Sequence, residues 1–178
     1  MANDIILSVR DLKKYFSTKN GELHAVDGVS FDIPRGTTLG VVGESGCGKS
    51  TLGRVILHLL QRTSGTICFD GEDISDVSPK RLHELRREMQ IIFQDPFSSI
   101  DPRKTVSEII GEPLLVHKLV DNSADYEKRV REIMDTVGLA RRLENSYPHE
   151  LDGGRRQRIG IGRALMLQPK FIVCDEPV

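Results

Sequence analysis

The residues Gly43-Glu44-Ser45-Gly46-Cys47-Gly48-Lys49-Ser50-Thr51 satisfy every position of the phosphate-binding pattern G-x-x-x-x-G-K-[ST]. This loop constrains the fold more than any other stretch, because it works only between a strand and a helix. Gly43, Gly46 and Gly48 permit backbone angles and close approaches that a Cβ would forbid, so successive N–H groups can turn inward around a polyphosphate. Downstream, Lys49 to Leu60 places Leu52, Val55, Ile56 and Leu59 at helical spacing, which predicts a helix with its positive N-terminus towards the phosphates. Lys49 would bring an ammonium to the β- and γ-phosphates, and the Ser50 hydroxyl is placed to coordinate Mg2+. Upstream, Thr38-Leu39-Gly40-Val41-Val42 reads as a buried strand. Cys47 admits two readings, a small side chain filling a tight loop or an oxidisable thiol, of which the first is favoured.

With 25 basic against 26 acidic side chains in 178 residues, the chain reads as one globular domain and lacks the basic footprint of a duplex binder. The remaining cysteines, Cys68 and Cys174, lie in apolar strand-like runs without metal spacing, so all three read as reduced thiols of a cytosolic protein. No run approaches the roughly 18 apolar residues of a membrane span, and Met1-Ala2-Asn3-Asp4 lacks a signal-peptide start. Any membrane role is therefore expected to be peripheral.

Ile5 to Val9 and Val26 to Ile33 predict antiparallel strands ahead of the loop, with turns at Asp27-Gly28 and Pro34-Arg35-Gly36. Between them stand Tyr15 and Phe16, which could stack on a nucleotide base or pack on the β-layer. Thr66 to Phe69 and Met89 to Phe93 predict further strands, and Ser78-Pro79 a helix start. Asp95 to Pro102 is dense in turn formers and marks a change of unit. From Thr105 to Leu143 the apolar spacing becomes helical, with Gly138 as a C-cap, and Leu151-Asp152-Gly153-Gly154 opens a helix over Arg155 to Leu167. The last strand, Phe171 to Cys174, delivers Asp175 and Glu176 at its C-terminal end, where open α/β sheets place ligands. With a phosphate loop in the same chain, Asp175 would hold Mg2+ through water and Glu176 would orient or deprotonate an attacking water.

These motifs together resemble the nucleotide-binding subunit of an ATP-binding-cassette transporter, over the whole chain. Gly43 to Thr51 matches Walker A, Gln94 the Q-loop glutamine, Leu151 to Gln157 the signature loop, and Phe171 to Glu176 Walker B with its adjoining glutamate. The phrase Phe93 to Arg103, the Gly43-to-Cys47 form of Walker A, and Tyr147-Pro148-His149-Glu150 are similar to the oligopeptide/dipeptide importer ATPases. The resemblance implies an α/β fold with a P-loop NTPase core, RecA-like and mainly parallel. It adds an N-terminal antiparallel β-layer and an inserted helical subdomain. The expected division is 1–94 for the β-layer and first core part, 95–154 for the helical part, and 155–178 for the return to the core. The resemblance also implies ATP and Mg2+ as ligands, with Tyr15 stacking on adenine and Gly43, Glu44, Ser45, Gly46, Cys47, Gly48, Lys49, Ser50 and Thr51 cradling the phosphates. Ser50, Gln94 and Asp175 would serve the metal, while Glu176, Gln94 and Lys49 would serve hydrolysis. Implied partners are a second ATPase subunit, identical or not, transmembrane permeases contacted by Gln94 and the helical insert, and indirectly an extracytoplasmic solute-binding protein, at the cytoplasmic face of the membrane. No nucleic acid is expected.

Two departures qualify these expectations. The signature loop carries Asp152, followed by Gly153, Gly154 and Arg155, where the family usually has Leu-Ser-Gly-Gly-Gln. An ionised Asp152 is acceptor-only and would repel the partner's γ-phosphate, yet it caps a helix as well as serine does, and Arg155 lies one turn on. Either a degenerate half-site or an Asp–Arg arrangement replacing the serine contact is expected. The chain also ends at Val178, two residues past Glu176, and its five histidines all precede the Walker B strand, so the family's later dimer-contacting loop and switch histidine lie outside it. An incomplete chain that binds Mg-nucleotide weakly and turns over slowly is expected. Importers of other small solutes such as nickel, a DNA-repair or translation cassette, and a nucleotide-binding module without turnover are the competing readings.

Overall fold

The computed structural model describes residues 4–19, 21–95 and 99–176. The chain divides into two compact units, Met1–Glu84 and Leu85–Val178. Pro96, Phe97 and Ser98 of the turn-rich phrase lie outside the described residues.

In the first unit, β1 (Ile5–Thr18), β2 (Gly21–Pro34), β3 (Ser64–Phe69) and β4 (Glu72–Asp73) form an antiparallel sheet in the order β2-β1-β3-β4. Leu7, Val9 and Leu12 of β1 and Ile67 and Phe69 of β3 are completely buried. Burying each such side chain contributes about 1.5–3 kcal/mol, which ties the strands to one face. β1 and β2 are longer than the sequence predicts because the turn-forming pair Asp27-Gly28 makes a bulge rather than a chain reversal. Gly28 sits at φ +68 and Asp11 at φ +45, and the β1–β2 register shifts between Val9 and Leu12 and again between Leu12 and Lys14. Tyr15 and Phe16 therefore lie within β1, not between strands.

Helix α1 (Lys49–Ile56) buries Leu52, Val55 and Ile56. It stops short of the predicted Leu60, where His58 turns to φ +55. The expected strand Thr38–Val42 is not one. Among the described residues it pairs with no other strand, and Leu39, Val41 and Val42 are exposed, Val42 at 93%. An apolar run becomes a strand only when a neighbour completes its hydrogen-bond ladder and covers its faces.

Helix α2 (Pro79–Glu88) starts as predicted, with Ser78 Oγ accepting from Arg81 N at 3.2 Å. In the second unit, β5 (Met89–Ile92) and β6 (Phe171–Cys174) pair in parallel, Met89 opposite Phe171 and Ile92 opposite Cys174. A parallel pair needs a long crossover. Here the crossover contains α3 (Val106–Val116), α4 (Ser123–Thr136) and α5 (Gly153–Leu165). Their apolar faces meet in a core of Val106, Ile109, Ile110, Leu114, Met134 and Ile159, among others. Thr105 and Glu108 form a reciprocal capping box on α3. α4 ends at Gly138, φ +70, with Leu139 N donating to Met134 O at 2.8 Å and Gly138 N to Asp135 O at 3.1 Å. This is the two-bond helix stop that glycine's left-handed freedom allows. Among the described residues no helix is long and apolar enough to cross a membrane.

Candidate functional site

Two of the phosphate-loop glycines, Gly43 and Gly48, are held by contacts that leave no room for side chains, whereas Gly46 has open space at its Cβ position. Gly48, at φ +98, is the N-cap of α1, and a Cβ there would lie 2.0 Å from Ala25 O of β2. A Cβ on Gly43 would lie 2.7 Å from Cys47 Sγ, so the thiol packs against the loop's own backbone, while the Cys47 residue itself is exposed. Gly48 contributes no capping side chain, and the first turn of α1 has no acidic residue. The first-turn N–H groups thus present the positive end of the helix without an internal carboxylate competing for it. Lys49 folds back over the loop, its Nζ donating to Gly43 O at 2.8 Å and Glu44 O at 2.7 Å and standing 3.9 Å from Cys47 Sγ. Ser50 and Thr51 follow in the first turn of α1. Loop, ammonium and helix start are thus gathered in one place, with the Lys49 ammonium resting on the loop carbonyls of Gly43 and Glu44.

Tyr15 lies in the same unit. It stacks on His24, its register partner across β1 and β2, with ring centroids 3.8 Å apart and planes 9° from parallel. The Tyr15 hydroxyl donates to Asp27, and His24 Nδ1 stands 3.5 Å from the same carboxylate. Donation to Asp27 pushes the Tyr15 phenol up to about 12, and the same bond, with a smaller contribution from His24, holds the Asp27 carboxyl below its usual range.

In the second unit, Gln94 follows β5 and Asp175 and Glu176 follow β6, so all three leave the C-terminal ends of a parallel pair. Asp175 N donates to Ile92 O at 2.9 Å, which continues the strand pairing, and the Asp175 side chain is buried. Gln94 Nε2 donates to Glu176 Oε2. Glu176 sits at φ +47, a left-handed conformation that costs a non-glycine residue about 1–2 kcal/mol. Such strain persists where surroundings over-determine it and clusters at functional sites.

The signature loop opens α5. Asp152 Oδ1 accepts from Arg155 N at 2.8 Å, and Arg155 Nε stands 3.6 Å from Asp152 Oδ2. Asp152 is therefore a helix cap and an ion-pair partner at once. With Gly154, Arg155 and Arg158 it lines one side of a cleft of about 350 Å³.

The ABC transporter family model matches residues 26–178. The chain belongs to the ABC transporter family. Among curated ABC relatives, the oligopeptide transport ATP-binding protein OppF of Bacillus subtilis is 51% identical over 97% of this chain and 57% of its own length. OppF of Salmonella typhimurium is 46% identical over 98% of this chain and 55% of its own length. The chain thus spans little more than half the length of these ABC proteins. The dimeric post-hydrolysis state of the ATP-binding cassette MJ0796, bound to ADP and Pi, superposes with a TM-score of 0.88 at 28% identity, covering 97% of this chain and 74% of that one. The cassette cbiO1 of Clostridium perfringens, part of the ABC complex cbiONQ, gives 0.81 at 30% identity over 98% and 66%. The P-loop fold of this ABC chain is shared with both.

Sequence reasoning put Gln94 and the Asp175-Glu176 pair just after strands and Asp152 at a helix start, and the structure has them in those positions. The same reasoning missed His24 and Asp27 as the partners of Tyr15. The available signal was Asp27-Gly28 inside a run of strand formers, which marks a bulge as readily as a turn.

Proposed function

We propose that this chain is the ATP-binding and ATP-hydrolysing subunit of an importer of oligopeptides or dipeptides. The observation that carries the reading is the phosphate cradle itself, with Gly48 pressed against Ala25 and Lys49 folded over the loop at the positive end of α1. The identity to OppF supports the peptide assignment. Lys49 and the loop N–H groups of Gly43 to Thr51 bind the phosphates, and Tyr15 stacks on adenine. The Ser50 hydroxyl in the first unit, and the buried Asp175 carboxylate and Gln94 amide in the second, are each hard oxygen donors of the kind Mg2+ takes. When bound, Mg2+ neutralises charge on the phosphates.

Glu176 orients the attacking water and takes its proton, while the Gln94 amide holds the Glu176 carboxylate in place. The water oxygen bonds to the γ-phosphorus, the bond to the β-phosphate oxygen breaks, and ADP and inorganic phosphate leave. Residues 95–154 form the insert that meets the permease. The working form pairs two cassettes at the cytoplasmic face of the membrane, as a peripheral subunit of permeases served by a solute-binding protein.

Asp152 favours a second reading, in which one half-site of an unequal pair binds without turnover. Both readings are tested by ATP binding and phosphate release. Lys49→Ala should abolish binding, and Glu176→Gln should keep binding while slowing release by at least about a hundredfold. Wild-type release by Glu176→Gln would exclude Glu176 as the base. A large rise in turnover of the assembled pair in Asp152→Ser identifies the degenerate half-site, and no change or a loss excludes it.

A further inference from the structure

We propose that His24 and Asp27 are positioning residues that fix the plane of the Tyr15 ring for stacking on the nucleotide base. The proposal rests on the reading of Tyr15 as the base platform and adds what holds that platform still. Tyr15 and His24 face each other across β1 and β2, so their side chains leave the same face of the sheet. That pairing exists because the register shifts twice near the bulge, between Leu12 and Lys14 and between Lys14 and Tyr15. The same bulge, with Gly28 at φ +68, brings Asp27 to the polar edge of the stack.

The carboxylate then serves both rings, accepting from the Tyr15 hydroxyl and standing 3.5 Å from His24 Nδ1. Tyr15 is held on one face by an imidazole 3.8 Å away and at its edge by a charged acceptor. A base would use the face that His24 does not cover.

The position supports this role. Ala25 follows His24 and carries the carbonyl that Gly48 abuts, so the braced pair begins one residue from the contact that seats the phosphate loop. All three side chains are polar enough to remain in water: His24 is 47% and Asp27 54% exposed. Core packing therefore does not explain an arrangement in which two rings lie within 9° of parallel. A ring already fixed in its stacking plane loses less freedom when a base arrives, and freezing one such side chain in advance is worth about three- to tenfold in affinity.

The test compares Kd for MgATP with Kd for magnesium inorganic triphosphate, by calorimetry on the whole protein. Only the first ligand has a base. His24→Ala and Asp27→Ala should each weaken MgATP about three- to tenfold and leave triphosphate unchanged, and His24→Phe should restore MgATP affinity. Because the two alanine variants act from different residues, one that fails to fold leaves the other to decide. Tyr15→Ala is the reference for the underlying reading. If Tyr15→Ala selectively weakens MgATP but neither alanine variant does, the brace is wrong and the platform stands. If Tyr15→Ala affects both ligands equally or neither, the platform reading and the brace fall together. Tighter MgATP binding by His24→Ala would mean that the imidazole occupies the base's place, which also overturns the proposal.

Discussion

Replacing Gly48 by alanine perturbs the close backbone contact between the phosphate loop and Ala25 of β2. Two costs add. Gly48 has φ +98, a conformation that costs an L-residue about 1–2 kcal/mol. The new Cβ would stand 2.0 Å from Ala25 O, a backbone atom, where real Cβ contacts do not fall below 3.0 Å. Opening that gap means moving β2 from the start of α1, an overpacking cost of about 1–3 kcal/mol. The expected loss is about 2–5 kcal/mol, a large share of the 5–15 kcal/mol that holds a typical domain folded. Gly46→Ala is the internal control, because Gly46 has φ +82 but nothing within 4 Å of its Cβ position. It should cost only the conformational part, about 1–2 kcal/mol. Urea denaturation followed by circular dichroism reads the stability, and MgATP titration reads the loop. Equal midpoints for Gly48→Ala and Gly46→Ala would refute the contact argument.

Further outcomes follow from the helical unit and the Tyr15 cluster. Met134→Ala, at a completely buried site of that unit's core, should cost about 2–5 kcal/mol in denaturant unfolding. Gly111→Ala should destabilise despite alanine's helix advantage of about 1 kcal/mol, because its Cβ would lie 2.3–2.5 Å from Tyr126 atoms; in a Tyr126→Ala background the same change should stabilise. Asp152→Ala should lose about 0.5–2 kcal/mol with the α5 cap, whereas Asp152→Ser should nearly retain it. Spectrophotometric titration should find one phenol ionising near pH 12, and Asp27→Ala should return it towards 10.0. Because the folded phenol pKa is raised, the Tyr15–Asp27 contribution is full below the ordinary phenol value and is lost as pH climbs to about 12. The Asp27 carboxyl is depressed, so the same contribution is present above its ordinary 3.8 and lost as pH falls through the lower folded value.

Much of this molecule was legible because its signals are local. Ser78 before Pro79, Gly138 behind an apolar helix and Asp152 ahead of α5 each act within a few residues, and each caps a helix as expected, while Gly46 and Gly48 take the positive φ that only glycine adopts freely. Asp175 and Glu176 were placed correctly for the same reason, since a short apolar run ending in carboxylates depends little on distant chain. Thr38 to Val42 misled because its pattern describes what a strand needs on its faces and says nothing of whether a neighbour arrives.

The sequence alone therefore determined the glycine loop, the helix that follows it, most of the other helices and strands, and the ABC family. Tertiary structure decided which side chains meet: Tyr15 with His24 through two register shifts, Asp27 through a bulge, and Gln94 with Glu176 across 82 residues. Local dihedral preferences are written residue by residue. Register and long-range approach are instead settled by packing and hydrogen-bond closure between segments that no short window of sequence contains.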